Sequence, residues 1–172
     1  MPPVPLRPPG ALGERDFLQV CQRCSACREA CKPGILLRLG EAYGKAEGTP
    51  GFFPETGPCE LCEDLPCAEA CPSGALQAPG HWSDANMGLA VLDARKCLEV
   101  QGTHCDACGL ACPTELRAIQ LTEYGPMICQ DRCTGCGLCV AACPAEPRAL
   151  RVRPRLSPMA LSPAGRTGKE AS

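Results

Sequence analysis

Residues 21–31 read CQRCSACREAC, and residues 133–143 read CTGCGLCVAAC. Both stretches follow the spacing C-x2-C-x2-C-x3-C, which places three thiols in one tight loop and a fourth three residues further on. Such a loop can curl around an iron–sulfur cubane and offer it three thiolates, while the fourth thiolate is directed to a neighbouring cubane. The spacing therefore predicts short loops and short helices arranged around iron–sulfur clusters.

Two further quartets of cysteines lie between these runs, one with a four-residue middle gap and one with a seven-residue opening gap. We predict that sixteen of the seventeen cysteines bind the iron of four [4Fe–4S] clusters. The predicted cofactor ligands are Cys21, Cys24, Cys27, Cys31, Cys59, Cys62, Cys67, Cys71, Cys97, Cys105, Cys108, Cys112, Cys133, Cys136, Cys139 and Cys143.

The rest of the composition agrees with a chain that is held together by a cofactor. Aromatic residues make up only 3% of the 172 residues, and there are 19 prolines and 18 glycines. An apolar core this thin does not offset the chain's conformational entropy by itself. A disulfide framework would normally have an even number of cysteines and a signal peptide. A zinc site joins two separate C-x2-C pairs, a layout that the two C-x2-C-x2-C-x3-C runs lack.

Several function classes are disfavoured by the same sequence. The formal charge of −2 and the lack of a basic run argue against a nucleic-acid partner. No segment approaches 18 apolar residues, so we expect no transmembrane segment. No nucleophile or acid–base pair is evident, so we expect an electron carrier and not an enzyme. Four oxidised clusters would bring the total charge to roughly −10, and a docking partner should then present basic groups.

The predicted fold class is α+β, with short helices and small β-hairpins packed around the clusters in two ferredoxin-like dicluster modules. We expect strands at residues 89–92 (LAVL) and 119–122 (IQLT), and a short helix at 35–39 (ILLRL). Residues 1–15 are expected to form a proline-rich N-terminal arm, and 16–153 the four-cluster region. The tail at residues 154–172 has no hydrophobic periodicity and is expected to be disordered.

The way in which the quartets pair is open to two readings. The two matching runs favour a nested arrangement, with an outer module of residues 16–45 and 126–153 and an inner module of residues 56–125. Cys31 would then bind the cluster that the last quartet holds. In a sequential arrangement, the first quartet pairs with the second and the third with the fourth. Cys129 belongs to no quartet, and we expect it to be a buried residue that is not a ligand.

The motifs together resemble the NapG/MauM family of ferredoxin-type proteins. The resemblance covers residues 6 to about 152. Lys32 departs from it, because in the family proline normally follows the cysteine that corresponds to Cys31 directly. A lysine beside a cluster favours its reduced, more negative form. The stretches that carry the resemblance are RPPGAL (7–12), GTPGFF (48–53), CELCEDLPCAEACPSGAL (59–76), MGLAVLD (87–93), CDACGLACP (105–113) and CTGCGLCVAACP (133–144).

This resemblance implies a protein that relays single electrons through four clusters. Its redox partners would be a polytopic membrane protein that oxidises quinol and an acceptor, such as a terminal reductase or a dehydrogenase. The alternative is an accessory or maturation protein for a redox enzyme. Members of the family usually carry a twin-arginine leader, and none is visible at the start of this sequence. We therefore expect a cytoplasmic location, or a periplasmic, membrane-associated one if a leader is missing.

Overall fold

Short helices and two-stranded sheets make up this α+β fold, because its frequent prolines and glycines interrupt longer helices and strands. The computed structural model describes residues 2–113 and 115–155. In that part of the chain, no helix is long and apolar enough to cross a membrane. The α-helices are α1 (Glu14–Val20), α2 (Ala26–Glu29), α3 (Pro66–Glu69), α4 (Ala107–Ala111) and α5 (Leu138–Ala142). The strands are β1 (Leu37–Arg38), β2 (Pro50–Gly51), β3 (Leu89–Leu92), β4 (Ile119–Thr122), β5 (Gly125–Ile128) and β6 (Leu150–Arg153), and 3-10 helices cover Glu41–Ala46 and Trp82–Asp84.

Antiparallel pairing joins β1 to β2, β3 to β6, and β4 to β5. The β3–β6 pair runs from Leu89 opposite Arg153 to Leu92 opposite Leu150. We call residues 87–155 the C-terminal half. The β3–β6 pair brings the two ends of this half together, and α4, the β4–β5 hairpin and α5 lie between β3 and β6 in the chain. The strands predicted at residues 89–92 and 119–122 are confirmed.

The proline-rich arm is a packed part of residues 2–80, the N-terminal half. Leu6 forms a β-bridge with Phe52, and Ala11 forms one with Leu76. The Arg7 guanidinium donates hydrogen bonds to the Thr49 hydroxyl at 2.8 Å and to the Pro50 carbonyl at 2.7 Å. It also lies 4.6 Å from the centroid of the Phe17 ring, within reach of a cation–π interaction. The arm thereby contacts residues 49–52 and Leu76 of the N-terminal half.

The helix that we predicted at residues 35–39 is wrong, because two of these residues form β1. Gly34, with φ of +67°, and Gly40 bracket a segment of only five residues, too short to nucleate an α-helix. The backbone of Leu39 instead accepts a hydrogen bond from Gly48 at 2.7 Å and donates one to Thr49 at 3.0 Å. Of the predicted tail, residues 156–172 lie outside the described residues.

Thiols take up much of the space that apolar side chains fill in other proteins. Among the described residues, the buried core includes large side chains such as Phe17, Phe52 and Val140, but seven of its members are cysteines. These are Cys27, Cys59, Cys67, Cys97, Cys108, Cys136 and Cys139. The core and the sites that hold the thiols are therefore the same part of the molecule.

The two halves meet where the loop before α5 approaches the loop after β2. The Cys59 amide donates a hydrogen bond to the Cys136 carbonyl at 2.8 Å. Gly137 has a φ of +87°, and a Cβ placed on it would clash with the Pro54 side chain. Only glycine fits there, both because of its backbone conformation and because of this close approach.

We expect Gly137→Ala to lower the thermal unfolding midpoint of the loaded protein more than Gly74→Ala does. Gly74 has a similar φ of +72°, but a Cβ added there would meet no other atom within 4 Å, so it is the matched control. The positive φ costs alanine about 1–2 kcal/mol at either position. The contact with Pro54 adds roughly 1–3 kcal/mol at position 137 only. Equal shifts in the two variants would contradict the packing described at this interface.

Candidate functional site

Four cavities in the structure are each lined by four cysteines, and their empty volumes, space open to solvent included, are about 390, 340, 310 and 330 Å³ for sites 1 to 4. All seventeen thiols are free of disulfide bonds. Cys129 lines none of these four cavities, and it is partly exposed and not buried as we expected. Site 1 has Cys21, Cys24, Cys27 and Cys71; site 2 has Cys31, Cys59, Cys62 and Cys67; site 3 has Cys97, Cys105, Cys108 and Cys143; site 4 has Cys112, Cys133, Cys136 and Cys139.

Each site takes three cysteines from one quartet and one from the neighbouring quartet. The third cysteine of each quartet lies on a short helix, as Cys27 does on α2 and Cys67 on α3. The fourth cysteine follows the end of that helix and lines the cavity of the other helix. Cys31, after α2, therefore lines site 2, and Cys71, after α3, lines site 1. Helices α4 and α5 exchange Cys112 and Cys143 between sites 4 and 3 in the same way.

This grouping contradicts the nested arrangement, which the two matching runs favoured. In that arrangement Cys31 joins the last quartet, but the structure places it beside Cys59, Cys62 and Cys67. The proposed outer module (16–45 with 126–153) and inner module (56–125) are therefore wrong. The physical reason is that α2 packs on α3 and α4 on α5, so that the fourth cysteine reaches the quartet adjacent in sequence.

The four sites follow one another in space in the order 1–2–4–3. Sites 1 and 2 share the α2–α3 pair, and sites 4 and 3 share the α4–α5 pair. Sites 2 and 4 are joined across the two halves by the hydrogen bond from the Cys59 amide to the Cys136 carbonyl. Sites 1 and 3 therefore lie at the two ends of the series.

Burial raises the pKa of several of these thiols and so makes them hard to ionise without a positive partner. Burial, together with the neighbouring thiols, raises the pKa of Cys27 to about 11 and that of Cys59 to about 12. Burial likewise raises the pKa of Cys67 and of Cys108 to about 11 each. At neutral pH these groups become thiolates only when a metal centre takes the place of their protons. The sites are thus built for a group that carries positive metal ions.

Cys71 in site 1 shows the opposite behaviour. Its burial would raise the pKa, but hydrogen bonds to the sulfur bring the pKa below its ordinary value. The Leu76 amide donates to Cys71 Sγ at 3.4 Å, and the Ser73 hydroxyl lies 3.5 Å from the same sulfur. These donors stabilise negative charge on the sulfur of site 1.

The residues present fit a polynuclear iron–sulfur cluster. Among the described residues, no group of three or more His, Cys, Asp or Glu side chains is arranged to hold a single metal ion. Four thiols that surround a cavity without converging on one point suit several metal atoms and not one tetrahedral zinc ion. Site 4 also offers the Thr134 hydroxyl, which is buried and has no hydrogen-bond partner among the described protein atoms.

Charged side chains are distributed unevenly over the four cavities. Arg23 and Arg28 line site 1, and Lys32 lines site 2. Lys32 pairs with Asp64 at 2.9 Å, and this pairing raises the pKa of Lys32 and lowers that of Asp64. Both side chains are exposed, so the ion pair contributes little to stability. Lys32 was singled out by the sequence because of its place directly after Cys31.

Glu99 is a residue that the sequence analysis missed. Its Oε2 atom accepts a hydrogen bond from the Cys105 amide at 2.6 Å, inside the loop that leads into site 3. The only sequence signal is the long gap between Cys97 and Cys105, which leaves room for an acidic residue. A carboxylate in a cysteine loop is otherwise indistinguishable from a solvated surface charge.

Two family models described as "4Fe-4S binding domain" match residues 18–42 and 130–148, the regions of the two C-x2-C-x2-C-x3-C runs. The chain is 43% identical over 145 residues to the ferredoxin-type protein NapG of Escherichia coli K12, and the match covers 77% of this chain but 63% of that relative. It is 44% identical over 175 residues to the methylamine utilization ferredoxin-type protein MauM of Methylorubrum extorquens, covering 94% of this chain and 79% of the relative. The methylamine utilization ferredoxin-type protein MauM of Paracoccus denitrificans is 41% identical over 177 residues, and the match covers 96% of this chain and 79% of that relative.

We expect the double variant Cys31→Ala/Cys59→Ala to contain as much iron as either single variant, because both cysteines line site 2. The matched control is Cys31→Ala/Cys133→Ala, which damages sites 2 and 4 and should lose the iron of two clusters. Iron analysis of anaerobically purified protein measures both. Nested pairing gives the reverse pattern, in which the Cys31/Cys133 variant loses one cluster and the Cys31/Cys59 variant loses two.

Proposed function

This chain belongs to the NapG/MauM family of ferredoxin-type proteins. We therefore propose that it is an electron carrier with a [4Fe–4S] cluster in each of its four cysteine-lined cavities. The observation that carries this proposal is that each cavity has four free cysteines, three from one quartet and one from its neighbour. All sixteen cysteines that line the cavities are the proposed ligands, and Cys129 is not one of them.

The proposed ligand sets divide the chain into two modules that differ from the nested ones. Sites 1 and 2 would form a two-cluster module in the N-terminal half, and sites 4 and 3 one in the C-terminal half. The pairing of β3 with β6 supports a closed C-terminal module. The Ala11–Leu76 bridge, together with the hydrogen bond from the Leu12 amide to the Ala75 carbonyl at 3.1 Å, supports the N-terminal one.

A bound [4Fe–4S] cluster supplies a centre that gains and loses one electron. The chain's own contribution is to hold such centres in a row and to limit their contact with water. The walls of the cavities are mostly apolar, with Phe17 at site 1, Leu65 at site 2 and Leu116 at site 4. The exchange of the fourth cysteine keeps neighbouring sites on one helix pair, and the Cys59–Cys136 hydrogen bond links the two pairs.

We further propose that this relay works between a membrane protein that oxidises quinol and an acceptor enzyme. The support is the family to which the chain belongs and the series of four sites, which has two ends and so can serve two partners. Cysteines and apolar residues make up most of the lining of sites 3 and 4, which agrees with a carrier.

The test is repeated reduction of the anaerobically purified full chain by membranes of its source organism supplied with duroquinol. We expect the visible absorbance to bleach, to recover on chemical reoxidation, and to bleach again over many cycles with the iron content unchanged. Membranes without duroquinol are the control. A protein that stays oxidised, or one that loses iron to another protein in the mixture, would contradict the carrier role, and iron loss would indicate maturation.

A further inference from the structure

We propose that electrons enter this protein at site 3 and leave at site 1, because fixed charges around the sites change sign along the series. This inference rests on the relay proposed above and adds its direction. The spatial order is 3–4–2–1 when the sites are counted from the C-terminal half. An electron moves spontaneously toward the site that stabilises added negative charge best, so local charge sets the direction.

Negative charge is built into the surroundings of site 3. The Glu99 side chain is only 26% exposed, and its Oε2 accepts the hydrogen bond from the Cys105 amide. This carboxylate opposes added negative charge at the site. The nearest basic nitrogen to Glu99 is Nδ1 of His104 at 3.6 Å, on a side chain that is 87% exposed. Asp93, also near site 3, is already paired with Arg95 and Lys96.

Positive charge is built into the surroundings of site 1. Arg23 donates through Nε to the Glu47 carbonyl at 2.9 Å, and Arg28 donates through Nε to the Leu36 carbonyl at 3.3 Å. Neutral acceptors thus hold both guanidinium groups at the cavity wall, and their charges are not cancelled by these contacts. The Leu76 amide and the Ser73 hydroxyl beside Cys71 also stabilise negative charge there. Cys24 is exposed, so water adds to the same effect.

The two interior sites are intermediate. The described residues that line site 4 include no charged side chain, and the described residues that line site 2 include one, Lys32. The exposed Asp64 partly screens that lysine. At site 3 the partly buried Glu99 carboxylate contacts the cysteine loop, and at site 4 the Arg155 guanidinium donates to the Cys133 carbonyl at 3.1 Å. Site 2 has one ammonium group and site 1 has two guanidinium groups. The reduction potential should therefore be lowest at site 3 and highest at site 1.

The surface beside site 3 has the character of a docking site for the electron donor. Exposed apolar side chains gather there, with Leu110 77% and Tyr124 83% exposed. Leu121 of β4 lies against Gly109 of α4, and Val100 lies against Gly125 of β5, so these side chains share one region. Helix α4 also carries Cys108 of site 3. Glu123 next to Tyr124 is acidic, and site 3 under this surface is surrounded by negative charge. Both features favour a donor whose apolar contact is surrounded by basic groups.

A redox titration of the loaded full chain, followed by electron paramagnetic resonance, tests the direction. We expect Glu99→Gln to raise the lowest of the midpoint potentials and to leave the highest one unchanged. Glu123→Gln is the control, since this carboxylate is exposed and does not contact a cysteine loop. Lys32→Gln should lower an intermediate potential. If Glu99→Gln leaves the lowest potential where it is, or shifts the highest one, the proposed direction is overturned.

Reduction by membranes and duroquinol tests the entrance. We expect Leu110→Ser to raise the protein concentration that gives half-maximal reduction rate by about tenfold, as the loss of a central apolar contact does. Leu37→Ser removes a leucine that is 45% exposed in the N-terminal half and should change nothing. Equal effects of the two variants would overturn the entrance at site 3. Failure of the unmodified protein to be reduced would instead count against the relay itself.

Discussion

The exchange of one cysteine between neighbouring helices is the constraint on which the rest of the structure depends. Each helix that carries a third cysteine ends just before a fourth, and that fourth thiol lines the cavity of the helix packed against it, as Cys31 and Cys71 do. The exchange fixes which helices pack, holds sites in pairs and places buried thiols where other proteins have apolar side chains. Buried thiolates need a positive partner such as a metal centre, so we expect cluster binding and folding to be coupled in this chain.

The sequence was informative wherever spacing along the chain decides the geometry. All sixteen predicted cysteines line the four cavities, and both predicted strands are present. Pairing of the quartets was mispredicted because it depends on long-range contacts, such as β3 with β6 and Ala11 with Leu76. Two loops of identical spacing share a local geometry, and that likeness says nothing about which helix packs on which. The segment at 35–39 failed as a helix because its flanking glycines leave it too short.

Charge placement was the part of the sites least visible in the sequence. The chain contains 19 acidic and 17 basic residues, and most of them could be solvated surface groups. Glu99 differs from the others because its carboxylate reaches the Cys105 amide, a contact made across a loop. Arg23 and Arg28 differ because backbone carbonyls hold them at a cavity wall. Only the folded chain shows that these charges lie at opposite ends of one series of sites.

Iron and acid-labile sulfide, measured together with zinc on the anaerobically purified full chain, test the central claim most directly. We predict a brown protein with equal amounts of iron and sulfide, enough for four [4Fe–4S] clusters in each chain, and with little zinc. A colourless protein that carries one zinc ion for each cysteine-lined cavity would contradict this prediction. Iron and sulfide sufficient for only two clusters would also contradict it, because each of the four cavities has its own four free cysteines.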